Sequence, residues 1–497
     1  CRLMGDDDGI YAMNAAMATD LTIDAVDVEG GTYGVNASNG GTGSTRVTTT
    51  GLVQGGEAGI RAIGEAGTLE LRVEAVDVQS EFIGIEARNN GIRDTTIIAT
   101  GTVHGANTGI YALNGATTTD LTIEAASVSG AGYGIYAEND GTGTTSVRAT
   151  GLVEGSGGTG IRVWTGPATT SLTVDAADVS GNYGIYTQNQ GSGATDITVT
   201  GLAEGAVGMG ILAHNAATAG DLTVTAADAS GAIYGIGVAN GSTAVVRGNT
   251  TVTATGTVDG GFAGIVAFNG AVDPADLAAG ELSGIGAGGG NLTIEATNVS
   301  GGTVGIGAQN NGTGATKITA TGLVEGGDSG ISAYNDVAAT DLTIEAADVS
   351  GGTYGIIAQN EGAGATAITT TGTTQGNVVA TNGGAAADLT IAVGDVGGGI
   401  GAESRTHDLN LLHDTVAVEG LRDEDDRDAG AFQHLDRFGR AGSFQGDDEV
   451  GIDRQHAFRR QGAHVAHIRQ GLDISGKTAG RIARHEPGFL PEFVHDL

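Results

Sequence analysis

The sequence predicts an all-β fold: a right-handed parallel β-helix, or β-solenoid, of about 15 coils with about 25 residues in each coil. A Gly-Ile or Gly-Val pair recurs every 25 residues over most of the chain. Short runs between these pairs alternate apolar and polar residues, which is typical of β-strands with one buried face. The 497 residues include 91 Gly but only 10 Tyr and 9 Phe, too few large side chains for several ordinary globular cores.

Each coil begins with a glycine that is followed by Ile or Val and usually, after one more residue, by Ala. Two coil types alternate, so the larger repeat is about 50 residues long. The coil-starting positions are Gly9, Gly34, Gly59, Gly84, Gly109, Gly134, Gly160, Gly184, Gly210, Gly235, Gly264, Gly305, Gly330 and Gly355, with weaker matches at Asn377 and Gly399.

Each coil has room for three short strands and three turns but not for a crossover helix. In one coil, Leu121, Ile123 and Ala125 alternate with Thr122 and Glu124, so one face points inward and the other outward. Clusters of Gly, Asn, Asp and Ser separate such runs, as turns require. Strands that stack on their counterparts in the next coil form parallel sheets, and coils about 4.8 Å apart build a long rod.

Asparagine recurs five residues after the coil-starting position, with Gly64 and Thr165 as exceptions. We interpret this column as a structural ladder at a turn, because Asn tolerates left-handed backbone geometry and its amide bonds to nearby backbone. Ligand coordination is the alternative. The ladder comprises Asn14, Asn39, Asn89, Asn114, Asn139, Asn189, Asn215, Asn240, Asn269, Asn310, Asn335, Asn360 and Asn382.

Acidic residues recur on alternate coils and predict outward rows of carboxylates. These oxygen ligands suit Ca²⁺, and a solvated face that keeps a long sheet soluble is the other interpretation. No catalytic residue and no cofactor is predicted beyond this candidate for calcium. The candidate ligands are Asp20, Asp24, Asp27, Asp120, Glu124, Asp341, Glu345 and Asp348.

Tyrosine precedes the coil-starting glycine on alternate coils. Packing over a turn is the expected role, and stacking against a sugar or a partner is the alternative. The spacing of two coils separates these rings from one another. The column contains Tyr33, Tyr133, Tyr183, Tyr234 and Tyr354.

The net charge of −36 argues against nucleic acid as a partner, since nucleic acid binding requires a basic surface. No run of 18 apolar residues occurs, so no transmembrane helix is expected. Cys1 is the only cysteine, which excludes an intramolecular disulfide.

Residues 1–420 are predicted to form one repeat domain, with an insertion loop at about 270–288, between Asn269 and Gly290. Insertions in solenoids emerge on one face, often the binding face, although a tolerated loop is the other interpretation. The repeat is absent from residues 421–497, where His and Arg are frequent. This segment is interpreted as a disordered or separately folded tail, or as a translation in the wrong reading frame.

The repeats "TDLTIEAADVSGG" and "GIYAENDGTGTTSVRATGLVEG" resemble the β-helical passenger regions of autotransporters and related bacterial surface adhesins, over roughly residues 5–420. The resemblance implies export through an outer membrane and display outside the cell. The outer-membrane barrel of that family has no counterpart after the repeats, which suggests that the chain is a piece of a longer protein.

We therefore expect an extracellular, non-enzymatic surface scaffold or adhesin. Its expected partners are glycans or proteins of a host or matrix surface. The alternative is a β-helical polysaccharide lyase or glycoside hydrolase, because a pair of carboxylates suffices for glycoside cleavage. Lyase chemistry would also need a basic residue in a groove, and Arg148, Arg162 and Arg247 look scattered in the sequence.

Overall fold

The computed structural model of this chain is a parallel β-solenoid of about 15 turns, which confirms the predicted fold class. The structure describes residues 2–241, 248–273, 277, 286–404, 414–418 and 466–468. Most of the insertion and most of residues 421–497 therefore lie outside the described residues, as does Arg247. No helix among the described residues has the length and apolarity needed to span a membrane.

The described strands pair in parallel with strands of neighbouring coils. They are β1 (Arg2–Gly5), β2 (Asp8–Asn14), β3 (Leu21–Ala25), β4 (Asp27–Gly30), β5 (Tyr33–Asn39), β6 (Thr45–Thr49), β7 (Leu52–Gly55), β8 (Ala58–Gly64), β9 (Leu71–Ala75), β10 (Asp77–Ser80), β11 (Ile83–Asn89), β12 (Thr95–Gly105), β13 (Thr108–Asn114), β14 (Leu121–Gly130), β15 (Tyr133–Asn139), β16 (Thr144–Thr165), β17 (Ser171–Asn189), β18 (Thr195–Gly205), β19 (Ile211–Asn215), β20 (Leu222–Gly231), β21 (Tyr234–Asn240), β22 (Thr250–Gly260), β23 (Ala263–Asn269), β24 (Leu292–Gly301), β25 (Val304–Asn310), β26 (Thr316–Gly326), β27 (Ser329–Asn335), β28 (Leu342–Asn360), β29 (Thr366–Thr370), β30 (Thr374–Asn382), β31 (Leu389–Val393), β32 (Ile400–Ser404), β33 (Asp414–Val418) and β34 (Ala466–Ile468).

The strands line three faces of the solenoid. Face A contains the segments that begin near the coil-starting glycines, such as β11, β13 and β15. Face B contains the Thr-rich segments, such as β3, β6 and β9, and face C contains the short segments β4, β7 and β10. Longer strands turn the corner between faces, and β16 continues through all three.

Identical apolar side chains stack in the core from coil to coil. On face A, Ile85, Ile110 and Ile135 are in register, and all three are completely buried. Burial of one such side chain stabilises the fold by about 1.5–3 kcal/mol. Because every coil contributes the same columns, the stability of a solenoid accumulates coil by coil.

The coil-starting glycine is explained by a close approach between faces A and C. A Cβ atom on Gly109 would lie 2.3 Å from Cγ1 of the core residue Val128 and 2.7 Å from the carbonyl oxygen of Gly134. Any larger residue would therefore push two coils apart. Close packing thus explains why glycine recurs at the start of each coil.

A second, smaller apolar cluster lies outside the main core, on the outer surface of face A. The insertion contributes Val272 and Leu277, which are 7% and 0% exposed. The insertion thus returns onto face A. The other members of this cluster, hereafter the insertion cluster, are Met209, Leu212, Tyr234, Ala239, Ala263, Val266 and Phe268.

Candidate binding surface on face A

A row of polar and aromatic side chains crosses the outer surface of face A. Its members occupy the variable position of the Gly-Ile-x-Ala motif, between two inward side chains, so they point outward. Successive members are in strand register, one per coil. This face-A row consists of Asn36, Arg61, Glu86, Tyr111, Tyr136, Arg162 and Tyr186.

The first part of the row is an ion-paired cluster around Glu86. Its carboxylate lies 3.3 Å from Nε of Arg61 and 2.6 Å from Nε of Arg88, which belongs to the adjacent outward position. Nη1 of Arg61 also donates to Oδ1 of Asn36 at 3.2 Å. Since Glu86 is only 8% exposed, the two guanidinium groups compensate a largely buried charge.

The middle of the row is aromatic. The rings of Tyr111 and Tyr136 stack at a centroid distance of 5.1 Å with an interplanar angle of 18°, and Tyr133 meets Tyr136 edge-on at 5.2 Å. The guanidinium of Arg88 lies 5.3 Å from the Tyr111 ring centroid. These contacts join the ion-paired cluster to a flat, partly exposed aromatic surface.

Arg162 follows the aromatic pair and is surrounded by tyrosines. Its guanidinium carbon lies 5.9 Å from the ring centroids of Tyr133 and Tyr136 and 5.2 Å from that of Tyr186. Nη1 of Arg162 donates to the hydroxyl of Tyr133 at 3.2 Å. Trp164, two residues along the same strand, is partly exposed beside this group.

Burial raises the pKa of Tyr111, Tyr136 and Tyr186 above the ordinary value of 10.0. The hydrogen bond from Tyr136 to Oε2 of Glu138, at 2.8 Å, raises the pKa of that tyrosine further. The row therefore presents neutral phenols, which stack and donate hydrogen bonds, at any physiological pH.

The insertion closes one end of the row. Tyr186 packs against the insertion cluster, and the next coil carries the buried His214, whose Nε2 lies 2.9 Å from the carbonyl oxygen of Val272. The carboxylate of Asp273 is close enough to help raise the pKa of Tyr186. A ligand extended along the row would meet this wall after Tyr186.

The calcium candidates in two of the three acidic columns are engaged with backbone. Each carboxylate accepts a hydrogen bond from an amide of the following coil, which explains why the acids recur with the repeat. The pairs are Asp20 with Ser44, Asp120 with Thr144, Asp341 with Ala365, Asp27 with Leu52, and Asp348 with Thr373, at 2.6–3.1 Å.

The third acidic column points outward from face B. Glu345 pairs with Lys317 at 3.2 Å, whereas Asp24 and Glu124 are exposed. Within the part of the chain that the structure describes, no three His, Cys, Asp or Glu side chains converge as metal ligands would. The structure thus does not gather the candidate residues into a shared site.

The asparagine ladder has two hydrogen-bonding patterns that match the two coil types. In one, Oδ1 accepts the amide of the residue two positions later, as in Asn139 with Gly141. In the other, Oδ1 accepts the hydroxyl of a buried threonine, as in Thr95 with Asn114. All the ladder residues except Asn14 are buried. Their amides thus serve turns and neighbouring coils, and Nδ2 of Asn269 donates directly to Oδ1 of Asn310.

The sequence prediction identified the column of alternate tyrosines but missed the row beside it. Tyr133 and Tyr183 do not contact each other, yet each contacts a row tyrosine, Tyr136 at 5.2 Å and Tyr186 at 6.3 Å. The interpretation of Arg162 as a scattered residue was wrong, because stacking of the coils places it among three rings. Aligning the coils on their period and reading the outward column would have revealed the row.

A scan against protein-family models, a search of curated proteins and a search of solved structures each find no match to this chain.

Proposed function

We propose that this chain is an extracellular, non-enzymatic binding scaffold of a bacterial surface and that it binds saccharide chains along the face-A row. The observation that carries the proposal is the Tyr111–Tyr136 stack and its neighbours, a non-periodic aromatic surface on an otherwise periodic molecule. A solenoid folds without such a surface, so folding alone does not account for it.

The geometry of the row suits an extended sugar chain. Coils rise by about 4.8 Å, which is close to the length of one sugar residue, so neighbouring sugars would meet neighbouring coils. Tyrosine and tryptophan rings offer apolar faces to the C–H groups of sugars, and phenol, amide and guanidinium groups offer hydrogen bonds to hydroxyls. Small contacts repeated over several coils add up to useful affinity.

The contacts of the acidic groups favour binding over cleavage. Glycoside hydrolysis uses one carboxyl as an acid and a second as a base or nucleophile. In the row, the Glu86 carboxylate is bound by Arg61 and Arg88, and Glu138 accepts a hydrogen bond from Tyr136. Both carboxylates are thus engaged by neighbouring side chains on face A.

The test is a titration of the purified full-length chain with a panel of oligosaccharides and matrix proteins, with and without Ca²⁺. Trp164 is the only tryptophan, and it lies beside the row, so its fluorescence reports binding there. We expect saturable binding of at least one glycan and at least a ten-fold loss of affinity for Tyr111→Ala and Tyr136→Ala, roughly 1.4 kcal/mol.

The matched control is Tyr354→Ala, which removes a partly exposed tyrosine outside the row and should leave the affinity unchanged. Circular dichroism checks that each variant keeps its β-structure. Release of reducing or unsaturated sugar ends would make the protein an enzyme, and exclusive binding to a matrix protein would overturn the saccharide assignment.

A further inference from the structure

We propose that Arg162, with Tyr133, Tyr136 and Tyr186 around it, binds the carboxylate or sulfate group of an acidic saccharide. This inference rests on the proposed function and specifies its ligand class. It also assigns the anionic group to one position along the row, next to the end that the insertion closes.

Arg162 differs from Arg61 and Arg88, the other arginines on the outer surface of face A, in having no ion pair within the described part of the chain. Five ion pairs join described residues with described side chains: Arg46 and Arg72 with Glu74, Arg61 and Arg88 with Glu86, and Lys317 with Glu345. Arg162 takes part in none of them. The Arg162 guanidinium is partly buried and has no carboxylate within 4 Å among the described residues. Such an arginine is unexpected in a chain with a net charge of −36, where acidic partners are abundant.

The tyrosines hold this guanidinium in place. Three ring centroids lie within 6 Å of it, and the bond to the Tyr133 hydroxyl uses only one of its five N–H donors. A guanidinium restrained by stacking is already ordered, so little side-chain entropy is lost when an anion binds. Its planar fork matches the two oxygens of a carboxylate or of a sulfate.

The location favours a sugar as the carrier of the anion. Partly exposed Trp164 flanks Arg162 on the same strand, and the stacked pair Tyr111 and Tyr136 continues from it along the row. An anionic sugar at Arg162 would therefore place its neighbouring sugars over aromatic rings. An acidic peptide would not need this flat aromatic surface.

The experiment compares acidic probes with neutral probes of the same backbone. The carboxylate arm uses oligogalacturonate and its carboxyl-reduced counterpart, and the sulfate arm uses a sulfated galactan oligosaccharide and its desulfated counterpart. Affinities come from Trp164 fluorescence and from calorimetry on the full-length chain. We expect one acidic probe to bind roughly ten-fold tighter than its neutral counterpart, and the arm with this preference identifies the anion.

Arg162→Gln should abolish this preference, so that acidic and neutral probes bind alike. The matched control is Arg148→Gln, an exposed arginine of the preceding coil on face B, which should keep the preference.

The two proposals fail in different ways. Equal affinity for acidic and neutral probes, or an unchanged preference in Arg162→Gln, overturns the anion site while saccharide binding stands. Failure of every saccharide to bind the folded chain overturns both proposals.

Discussion

The hydroxyl of Thr45 is buried without a hydrogen-bond partner, and Gly64 stands at the position where most coils carry a ladder asparagine. The equivalent pair one repeat later is complete, since Thr95 donates to Oδ1 of Asn114 at 2.5 Å. The second exception to the ladder, Thr165, leaves no such gap, because Nδ2 of Asn139 donates to the hydroxyl of Thr145 at 3.0 Å and Thr165 itself donates to Oδ1 of Asn189 at 2.8 Å.

We therefore expect Gly64→Asn to stabilise the solenoid relative to Gly64→Ala by about 1 kcal/mol, the usual net value of one hydrogen bond. A Cβ at position 64 would lie 2.8 Å from Oγ1 of Thr68 and 2.9 Å from Oδ1 of Asn89, so both variants require small side-chain shifts. The alanine variant therefore controls for crowding. Urea unfolding followed by circular dichroism measures the difference.

Thr45 and Thr95 provide an independent check. Thr45→Val removes an unpaired buried hydroxyl and should be neutral or stabilising, whereas Thr95→Val breaks a bond and should cost about 1–2 kcal/mol. Equal losses in the two variants would contradict the assignment of Thr45 as unpaired.

Glu86→Gln should destabilise the protein by about 1–2 kcal/mol, because a largely buried carboxylate then no longer neutralises Arg61 and Arg88. The control is Glu345→Gln, whose partner Lys317 and own side chain are each 50% exposed, and which should cost less than about 0.5 kcal/mol. Denaturant unfolding of both variants checks this order. A larger loss for Glu345→Gln would show that the Glu86 cluster adds little to stability.

The solenoid could be predicted from the sequence because its signals are local and repeated. The alternation of Ile110 and Ala112 with outward residues predicts strands. The repeat of about 25 residues predicts that these strands stack from coil to coil. The face-A row could not be found in this way, since Tyr111 and Tyr136 are 25 residues apart and meet only when coils stack in register. Outward residues vary from coil to coil, so each one resembles an ordinary surface residue in the sequence. The row becomes visible only when equivalent positions of successive coils are compared.

Tyr234→Phe should stabilise the protein by about 1 kcal/mol at pH 7, since the Tyr234 hydroxyl is buried and has no hydrogen-bond partner. Burial raises the pKa of Tyr234 to about 12. The unfolded chain loses this proton near pH 10, whereas the folded chain keeps it until about pH 12. Ionisation of Tyr234 therefore leaves the stability unchanged below pH 10 and lowers it as the pH rises towards 12.

The free energy of unfolding of Tyr234→Phe should therefore fall less steeply than that of the wild type between pH 10 and 12. Tyr11→Phe is the control, because Tyr11 is 62% exposed, and it should follow the wild type. Identical alkaline profiles for Tyr234→Phe and the wild type would contradict the assigned burial of this hydroxyl.

Acid should loosen the insertion through His214. Burial lowers the pKa of His214, against the smaller opposing effects of the Val272 carbonyl and Asp273. Because the folded pKa is below the ordinary value of 6.5, the unfolded chain binds the proton more readily. The stability that His214 contributes is therefore complete above pH 6.5 and is lost as the pH falls below it.

Hydrogen exchange of a peptide covering residues 209–215, corrected for the intrinsic effect of pH, measures this change. We expect protection to decrease between pH 7.5 and 5 in the wild type and to stay nearly constant in His214→Gln, which keeps an N–H donor for Val272 but cannot be protonated. His104→Gln alters an exposed histidine on face C and should behave as the wild type. If His214→Gln loses protection at pH 5 as the wild type does, His214 is not the group that responds to acid.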